Sequence, residues 1–404
     1  FQKRIKSKMQ KKWRLFYATD FQTLMYPCFT FCRILGLFPY KINNLTFETS
    51  KPYYILSITV TCVLHVLNLI ILKYNKNFTK MSFETATMSL ENYCFSIMIT
   101  LLTIVTLVMS NSRMRLLQII MEISSKLSPK SYQKLSRLIH TKDIFGSFYI
   151  IGLISTCFYN LSFDIIYTIY SMYTVQLIFQ MDMLYMNCVC VLKTCFEDIN
   201  NNLQHMQELI VNSEPHVPML SYYKQRNPFL IAKLKILKKQ YMMISNTVQM
   251  LNTIFSVQLL ASMIITFCQI SLNLYVYLIQ WHDGLVINLN GQVGKLFLST
   301  TIYYIIKLVL IVWACETGKN QAQEIRITIH DVLNRAKDEQ IKDELQSFSL
   351  QILHCKNIFS AKGFNIDATF LAAMMGTITT YTLIFLQFLI TSHSCDEKST
   401  INVT

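Results

Sequence analysis

The stretch ATFLAAMMGTITTYTLIFLQFLIT occupies residues 368–391 and contains no charged side chain. As an α-helix it would extend roughly 36 Å at 1.5 Å per residue, which is enough to cross the ~30 Å hydrocarbon core of a bilayer. The rest of the chain is similarly apolar: 52% of its 404 residues are hydrophobic, and the mean hydropathy is +0.34. A chain of this composition is predicted to use lipid as its solvent.

Six more apolar stretches of spanning length precede this one. They lie at 52–74, 87–110, 144–163, 166–192, 248–280 and 296–315. The fifth stretch is too long for one upright span, so we expect it to project into the cytoplasm as a continuous helix. The sequence thus predicts an all-α, polytopic membrane protein with seven transmembrane helices.

The distribution of basic residues predicts the orientation in the membrane. Segments 1–51, 111–142, 196–243 and 316–365 hold most of the 37 Lys and Arg residues. The segments on the opposite side contain only Lys76, Lys80, Lys295 and Lys398. By the positive-inside rule the amino terminus is cytoplasmic and the carboxyl terminus extracellular. The net charge of +14 is then a topology signal, and no soluble basic domain suggests a nucleic-acid partner.

Catalytic and metal-binding patterns are missing from the sequence. The twelve cysteines lie almost entirely within or beside the spans, and the eight histidines are scattered. No nucleophile elbow, phosphate loop or zinc-binding pattern occurs, so we expect neither an enzyme nor a cofactor. A G-protein-coupled receptor is disfavoured as well, because that class has the opposite orientation.

The last stretch carries a recognisable motif. Thr380 and Tyr381 are followed by five apolar or small residues and then by Gln387 and Phe388. This pattern resembles the TYhhhhhQF signature (h, hydrophobic) of insect gustatory receptors. The related odorant receptors share the fold but usually lack the Gln-Phe ending. Residues that precede the last helix in this family are also matched by Ala361, Gly363, Phe364, Ile366, Asp367 and Gly376, and earlier in the chain by Ala314, Cys315, Glu316 and Thr317.

The resemblance implies a ligand-gated, non-selective cation channel in the plasma membrane of sensory neurons. In that family four subunits, identical or different, surround one pore for monovalent and divalent cations, and the outer half of helix seven lines it. Membrane lipid and a small tastant (a sugar, a bitter compound or an amino acid) are the other implied partners. Alternatives are an odorant-receptor-like channel subunit and a metabotropic seven-helix receptor or transporter.

The same resemblance divides the chain into five parts. They are a cytoplasmic segment 1–51, six helices with the ligand bundle over 52–315, a cytoplasmic anchor 316–367, the pore helix 368–391 and an extracellular tail 392–404.

The seventh stretch also has a polar face of its own. Thr377, Thr380, Ile384, Gln387 and Thr391 are spaced three or four residues apart and share one side of a helix. A polar stripe on an apolar span must face protein or water. With the motif we interpret it as a pore surface, with Ile384 or Phe388 as constrictions; without it, hydrogen bonding between helices would be the simpler interpretation.

Polar and aromatic residues in the outer half of the bundle are candidates for binding the ligand. Gln269 and Asn273 are the first choices. The full set is Gln269, Asn273, Thr266 and Ser262 in span five, Tyr303, Tyr304, Thr300 and Lys307 in span six, Tyr170, Tyr173 and Gln176 in span four, and Glu91 in span two. For any single one of them, a hydrogen bond between helices is an equally good explanation.

Three ionisable residues, Glu91, Asp182 and Lys307, lie deep within spans. Such residues are costly in lipid and usually face inward and pair. We predict that Asp182 and Lys307 pair with each other, or that Lys307 meets an acidic ligand. Among the sequons expected to face outside, those at Asn77 and Asn402 are candidates for glycosylation, whereas the one at Asn160 lies too close to the bilayer.

Overall fold

The computed structural model describes residues 15–43, 46–76, 83–161, 165–211, 220–282 and 292–401. The helices are α1 Phe21–Ile34, α2 Lys51–Lys76, α3 Phe83–Val108, α4 Ser110–Ser124, α5 Pro129–Leu161, α6 Ile165–Val211, α7 Leu220–His282, α8 Gln292–Arg335, α9 Glu339–His354 and α10 Ala368–Ile401. Four short strands, β1 Tyr40–Asn43, β2 Thr46–Thr49, β3 Ser360–Ala361 and β4 Phe364–Asn365, form two antiparallel hairpins.

Each of the seven predicted stretches falls largely within its own helix, namely α2, α3, α5, α6, α7, α8 and α10; the stretches 87–110 and 144–163 run two residues beyond α3 and α5. Among the described residues, five helices (α2, α6, α7, α8 and α10) are long and apolar enough to cross a membrane. A sixth span is obtained if α3 and α4 count as one, although they meet at a 62° bend. This bend shortens the second predicted stretch, which ends at Val108 instead of 110.

Three helices extend well beyond the apolar stretches that predicted them. The lengths of α6, α7 and α8 are 47, 63 and 44 residues. The expectation that the fifth stretch continues as a longer helix is therefore confirmed. Together with α9, these extensions form a helical layer outside the apolar part of the bundle.

The central element of the bundle is α6. In its most apolar part, 94% of the residues are buried inside the protein. Side-chain contacts fix the directions of its neighbours. Asp182 and Asn200 of α6 meet Lys307 and Thr328 of α8, so these two helices run parallel. Tyr185 packs against Phe255 with the ring centroids 5.6 Å apart, and Phe196 packs against Tyr241 at 5.7 Å, so α7 runs antiparallel to α6.

A segment before the first span was not predicted to fold. Asp20 caps α1 by accepting a hydrogen bond from the Thr23 backbone N–H at 2.9 Å, in a capping box. After α1, Gly36 has a φ of 69°, and the chain returns through the β1–β2 hairpin. Phe29 stacks on Phe38 with the centroids 4.4 Å apart, which fastens the hairpin to the helix.

The residues that resemble the family's approach to the last helix form a compact turn. Lys362 and Gly363 connect β3 to β4 with φ values of 48° and 91°, a conformation that favours glycine at the second position. The Asp367 carboxylate then accepts a hydrogen bond from the Phe370 N–H at 3.1 Å and caps α10. This part of the motif therefore sets where the last helix starts and which way it points.

Candidate ligand site and pore face

A buried ion pair joins the three central helices. Lys307 Nζ lies 3.0 Å from Asp182 Oδ2, and the two side chains are 2% and 0% exposed. The Ser262 hydroxyl donates to the same carboxylate oxygen and accepts from Lys307 Nζ at 3.1 Å. The predicted pairing of Asp182 and Lys307 is confirmed. We call Asp182, Ser262 and Lys307 the charged triad; it ties α6, α7 and α8 together at one depth.

Aromatic side chains surround the charged triad. Tyr303 and Tyr304 are both buried, with ring centroids 4.9 Å apart. Phe179 approaches Tyr303 at 6.3 Å, and Lys307 Nζ lies 5.5 Å from the centroid of the Tyr304 ring. The site therefore offers aromatic faces beside hydrogen-bonding groups, a combination suited to a small amphipathic molecule.

Several buried polar atoms of α6 and α7 have no hydrogen-bond partner within the described chain. Both amide atoms of Gln176, the side-chain nitrogen of Asn273 and the second oxygen of Asp182 belong to this set. Since buried polar groups are nearly always hydrogen-bonded, water or a ligand is expected to supply the partners. Because α6 and α7 run antiparallel with Asp182 opposite Ser262, Gln176 lies near the level of Gln269.

The structure separates two predicted ligand residues from the rest. The Tyr170 hydroxyl donates to Asn68 Oδ1 of α2 at 3.0 Å, and the Tyr173 hydroxyl donates to the Leu35 carbonyl after α1. Both hydroxyl groups thus point toward α2 and α1, away from the charged triad. The sequence analysis named both residues as ligand candidates of span four, but the sequence could not identify the neighbours that their hydroxyl groups meet.

For the remaining predicted ligand residues, the structure gives fewer contacts that relate them to the charged triad. The Thr266 hydroxyl donates to the Ser262 carbonyl of its own helix at 2.8 Å. Gln269 and Thr300 are half-buried. Glu91 lies in α3, but its side chain is outside the described residues, as are the sequon residues Asn77 and Asn402.

The predicted pore stripe points away from the rest of the chain. Thr377, Thr380, Ile384, Gln387 and Thr391 are all exposed. The hydroxyl groups of the three threonines donate to backbone carbonyls one turn earlier, at 2.8 to 3.0 Å. Their oxygen lone pairs therefore stay available on the exposed side. Phe388 lies in α10, and its side chain is outside the described residues.

The other side of α10 packs on α7 through two aromatic contacts. Tyr381, from the motif, meets Phe267 edge to face at 6.0 Å, and Phe385 meets Tyr275 at 5.2 Å. Phe267 directly follows Thr266, which is hydrogen-bonded to Ser262 of the charged triad. A single helix, α7, thus contacts both the candidate ligand site and the candidate pore helix.

A second buried polar cluster was missed by the sequence analysis. Lys142 is bonded to Asp143, and Asp143 also accepts from Asn187 Nδ2 of α6 at 2.8 Å. The Gln180 amide donates to Ser147 at 2.6 Å beside it. One sequence signal could have predicted this cluster. Lys142 and Asp143 are adjacent just before the third apolar stretch, and their opposite charges can neutralise each other.

Comparisons with known proteins agree with this architecture. The family model described as 7tm Chemosensory receptor matches residues 25–392. Two Drosophila melanogaster proteins described as gustatory receptors 28b and 28a are 37% and 35% identical over 93 and 104 residues, which cover 23% and 26% of this chain. The match spans only 20% and 23% of the length of those relatives.

Solved structures show the same fold along most of the chain. The insect olfactory receptor OR5 from Machilis hrabei superimposes with a TM-score of 0.66 at 11% identity, covering 91% of this chain and 98% of that one. Its structure in complex with eugenol gives a TM-score of 0.67. The family match agrees with the motif around Thr380 and Gln387, and the chain belongs to the 7tm chemosensory receptor family.

Proposed function

We propose that this chain is a subunit of a gustatory receptor that acts as a ligand-gated, non-selective cation channel. The observation that carries the proposal is the position of α10. One side of this helix packs on α7 through Tyr381 and Phe385, while its uncharged polar stripe is exposed. A polar stripe on an apolar span needs water or another protein surface. Four copies of α10 around a common axis would give each stripe a water-filled pore.

The chemistry of the stripe suits weakly selective conduction. Thr377, Thr380 and Thr391 donate their hydroxyl protons to their own helix. Their oxygen atoms, with the Gln387 carbonyl oxygen, would form successive rings of acceptors around a passing cation. Because the stripe carries no formal charge, monovalent and divalent cations should both pass. Ile384 and Phe388 would supply the apolar constrictions.

The ligand site in this proposal is the aromatic and polar region around the charged triad. Tyr303 and Tyr304 would cover the apolar surface of a tastant, while Gln176, Gln269 and Asn273 would bond its polar groups. Thr300 is a further lining candidate. Sugars, bitter compounds and amino acids all combine these features. The similarly folded Machilis hrabei receptor has been solved in complex with eugenol, which supports a small-molecule ligand in this proposal.

Gating would pass from the ligand site to the pore along α7. A ligand held near Ser262 and Gln269 touches the same helix that carries Phe267, and Phe267 contacts Tyr381 of α10. A shift of α7 would favour one of two packing arrangements of these rings. The equilibrium of α10 between two positions would then shift toward the position that fits this arrangement. The ligand can move that equilibrium only by its difference in affinity for the two states.

We also propose the orientation with a cytoplasmic amino terminus in the plasma membrane, on the basis of the Lys and Arg distribution. In this orientation the helical layer of 316–367 and the extensions of α6 and α7 are cytoplasmic and would hold the tetramer together. The segment 1–51 is cytoplasmic and the tail 392–404 is outside, with Asn402 and Asn77 accessible to glycosylation.

Excised membrane patches separate this proposal from a metabotropic receptor. Cells expressing the chain would be screened with sugars, amino acids, alkaloids and phenols, and responding patches would be excised into nucleotide-free solution. We expect current within milliseconds of each application, with a reversal potential near zero in mixed cation solutions. Loss of the response on excision, or a need for guanine nucleotide, would contradict a channel.

A further inference from the structure

A cavity of about 290 Å³ opens between α5, α6 and α8, away from the charged triad and the pore stripe. It lies where two apolar stretches end, because Lys193 follows the predicted span 166–192 and Trp313 is near the end of 296–315. Trp313 is exposed, and its ring lies under the Lys193 ammonium with Nζ 5.1 Å from the centroid. Tryptophan and lysine at the ends of spans mark the level of the lipid headgroups.

The cavity combines positive and negative groups. Lys134 and Lys193 lie on its wall with the carboxylates of Glu197 and Asp198. Lys134 Nζ is 3.4 Å from Glu197 Oε1; the Lys134 side chain is largely exposed and the Glu197 side chain is partly exposed. Burial, and then the charge of Glu197, raise the pKa of Asp198, so a cation beside this carboxyl group would relieve an unfavourable charge. A ligand that carries one anion and one ammonium would match both halves of the cavity.

Exposed apolar side chains occur on α5 and α8 beyond the cavity, and we call this strip of surface the α5–α8 groove. Phe145 of α5 is 64% exposed, and Ile306 and Val309 of α8 are 53% and 43% exposed. At the other end of this strip α5 and α8 meet, where the Tyr149 hydroxyl donates to the Ser299 carbonyl at 3.1 Å. From Ile302 to Trp313 it extends roughly 16 Å, about half of the hydrocarbon core and thus the depth of one leaflet.

We propose that this cavity binds the headgroup of an aminophospholipid, with one acyl chain lying in the α5–α8 groove. The phosphate contacts Lys193 and Lys134, and the ammonium contacts Glu197 and Asp198. A phosphatidylethanolamine headgroup has this arrangement of charges. Phosphatidylcholine has no N–H donor for the carboxylates, and phosphatidylglycerol has no cation. Given the proposed orientation, the lipid belongs to the cytoplasmic leaflet.

Native mass spectrometry of the purified protein tests the lipid class without requiring a tastant or a current. The chain would be released from nanodiscs that contain equal amounts of phosphatidylethanolamine, phosphatidylcholine and phosphatidylglycerol. We expect the retained lipid to be enriched about tenfold in phosphatidylethanolamine, since two charged hydrogen bonds distinguish it. Equal retention of the three lipids, or preference for phosphatidylglycerol, would overturn the proposal.

Two substitutions place the binding at this cavity. The double change Glu197→Gln with Asp198→Asn should reduce the enrichment to near that of phosphatidylcholine, because these carboxylates distinguish the ammonium. Lys193→Gln should reduce the retention of all three lipids, because each of them carries a phosphate. Lys130→Gln is the matched control, because Lys130 is exposed on the same α5 but does not line the cavity. Enrichment that persists in the double variant, or lipid retention that is unchanged in Lys193→Gln, would contradict the assignment. Each variant is compared with the parent only if the two proteins have matching elution profiles, so that a misfolded variant is left out. The lipid preference measured for the parent does not depend on any variant.

Soluble phosphoethanolamine distinguishes the lipid from its free headgroup. If the acyl chain contributes through the groove, millimolar phosphoethanolamine should neither bind detectably nor displace the lipid. Adducts of phosphoethanolamine on protein that retains no phosphatidylethanolamine would show a soluble metabolite site and overturn the lipid assignment.

Discussion

At the scale of single residues, the buried charges were the most predictable part of the molecule. Asp182 and Lys307 lie deep within apolar stretches, and an isolated charge is too costly there, so mutual neutralisation could be inferred before the fold was known. The hydroxyl contacts of Tyr170 and Tyr173 could not be inferred from the sequence. Their partners, Asn68 and Leu35, belong to α2 and to the turn after α1, and only the fold brings them close. Such contacts depend on tertiary packing that helical periodicity does not contain.

The ion pair predicts a charge-reversal rescue. Asp182→Asn leaves the Lys307 ammonium buried without its counter-ion, which should cost about 3–5 kcal/mol of folding stability. Lys307→Met should have a similar effect, and the exchange Asp182→Lys with Lys307→Asp should recover part of it. The measurement is the thermal midpoint of the detergent-solubilised protein by size-exclusion chromatography. Lys235→Met, at an exposed position on α7, is the control; an exchange no more stable than either single variant would refute the pairing.

His140 predicts a pH-dependent attachment of the segment before α1. Its Nδ1 accepts from the Phe16 N–H at 3.0 Å, and its Nε2 lies 3.0 Å from the Leu24 carbonyl, so the neutral ring fits this site. Burial lowers the pKa of His140. The folded state therefore favours the neutral ring of His140. The stability that this ring contributes to the folded segment is fully present above the unfolded-state pKa of about 6.5 and is lost as the pH falls below that value.

Hydrogen exchange should detect this release. After correction for intrinsic rates, we expect faster exchange in residues 15–24 at pH 5 than at pH 7.5. In His140→Gln the exchange should be fast at both values, whereas His205→Gln, at an exposed position, should behave as the parent does. Equal protection of the segment at both pH values in the parent would contradict the role of His140.

At the scale of elements, the long helices were predictable and the short pieces were not. Seven apolar stretches each became part of a helix, and the extension of α7 followed from the length of its apolar run. The β1–β2 and β3–β4 hairpins were missed, since strands of four and two residues give no periodic signal. The bend at Met109 also escaped prediction, because the residues on both sides of it favour a helix.

The contact between α7 and α10 predicts separable effects on binding and gating. Phe267→Ala removes the ring that meets Tyr381, a contact that contributes roughly 0.5–1.5 kcal/mol beyond simple burial. We expect the open probability at saturating ligand to fall by roughly 2- to 12-fold, with little change in ligand affinity.

Phe267→Tyr, which keeps the aromatic ring, should retain most of the response. Phe229→Ala, at an exposed position of the same helix outside the apolar bundle, is the control. Single-channel recording gives the open probability, and direct ligand binding gives the affinity. A Phe267→Ala protein with unchanged open probability would show that gating does not pass through this contact.

At the scale of the whole molecule, apolar side chains that a single chain leaves exposed indicate contacts with other chains. Ile327 of α8 and Leu350 and Leu353 of α9 are 63%, 60% and 51% exposed in the helical layer outside the apolar stretches. In the proposed orientation this layer lies in water, where such side chains need a protein partner. The sequence could indicate a tetramer only through family resemblance, because the facing surfaces belong to different subunits.

Introducing charges at these positions should disrupt the proposed tetramer. We expect the parent to have a mass of four 47.2 kDa chains by native mass spectrometry, and Leu350→Glu with Leu353→Glu to yield mainly smaller species. Lys342→Glu, on the same helix, reverses a charge without altering these apolar positions and serves as the control. A double variant that remains fully tetrameric would indicate that other surfaces hold the subunits together.

Cysteine accessibility along α10 decides whether the polar stripe of this helix lines a pore. A membrane-impermeant, positively charged methanethiosulfonate reagent would be applied during ligand-evoked current in Gln387→Cys, Thr379→Cys and the parent. Thr379 is exposed on α10 and bonds to its own backbone at 2.9 Å, as the stripe threonines do, but lies off the polar stripe. We expect rapid, irreversible block in Gln387→Cys and little change in Thr379→Cys or the parent. Equal sensitivity of the two variants, or no block in Gln387→Cys, would contradict a pore lined by this face of α10.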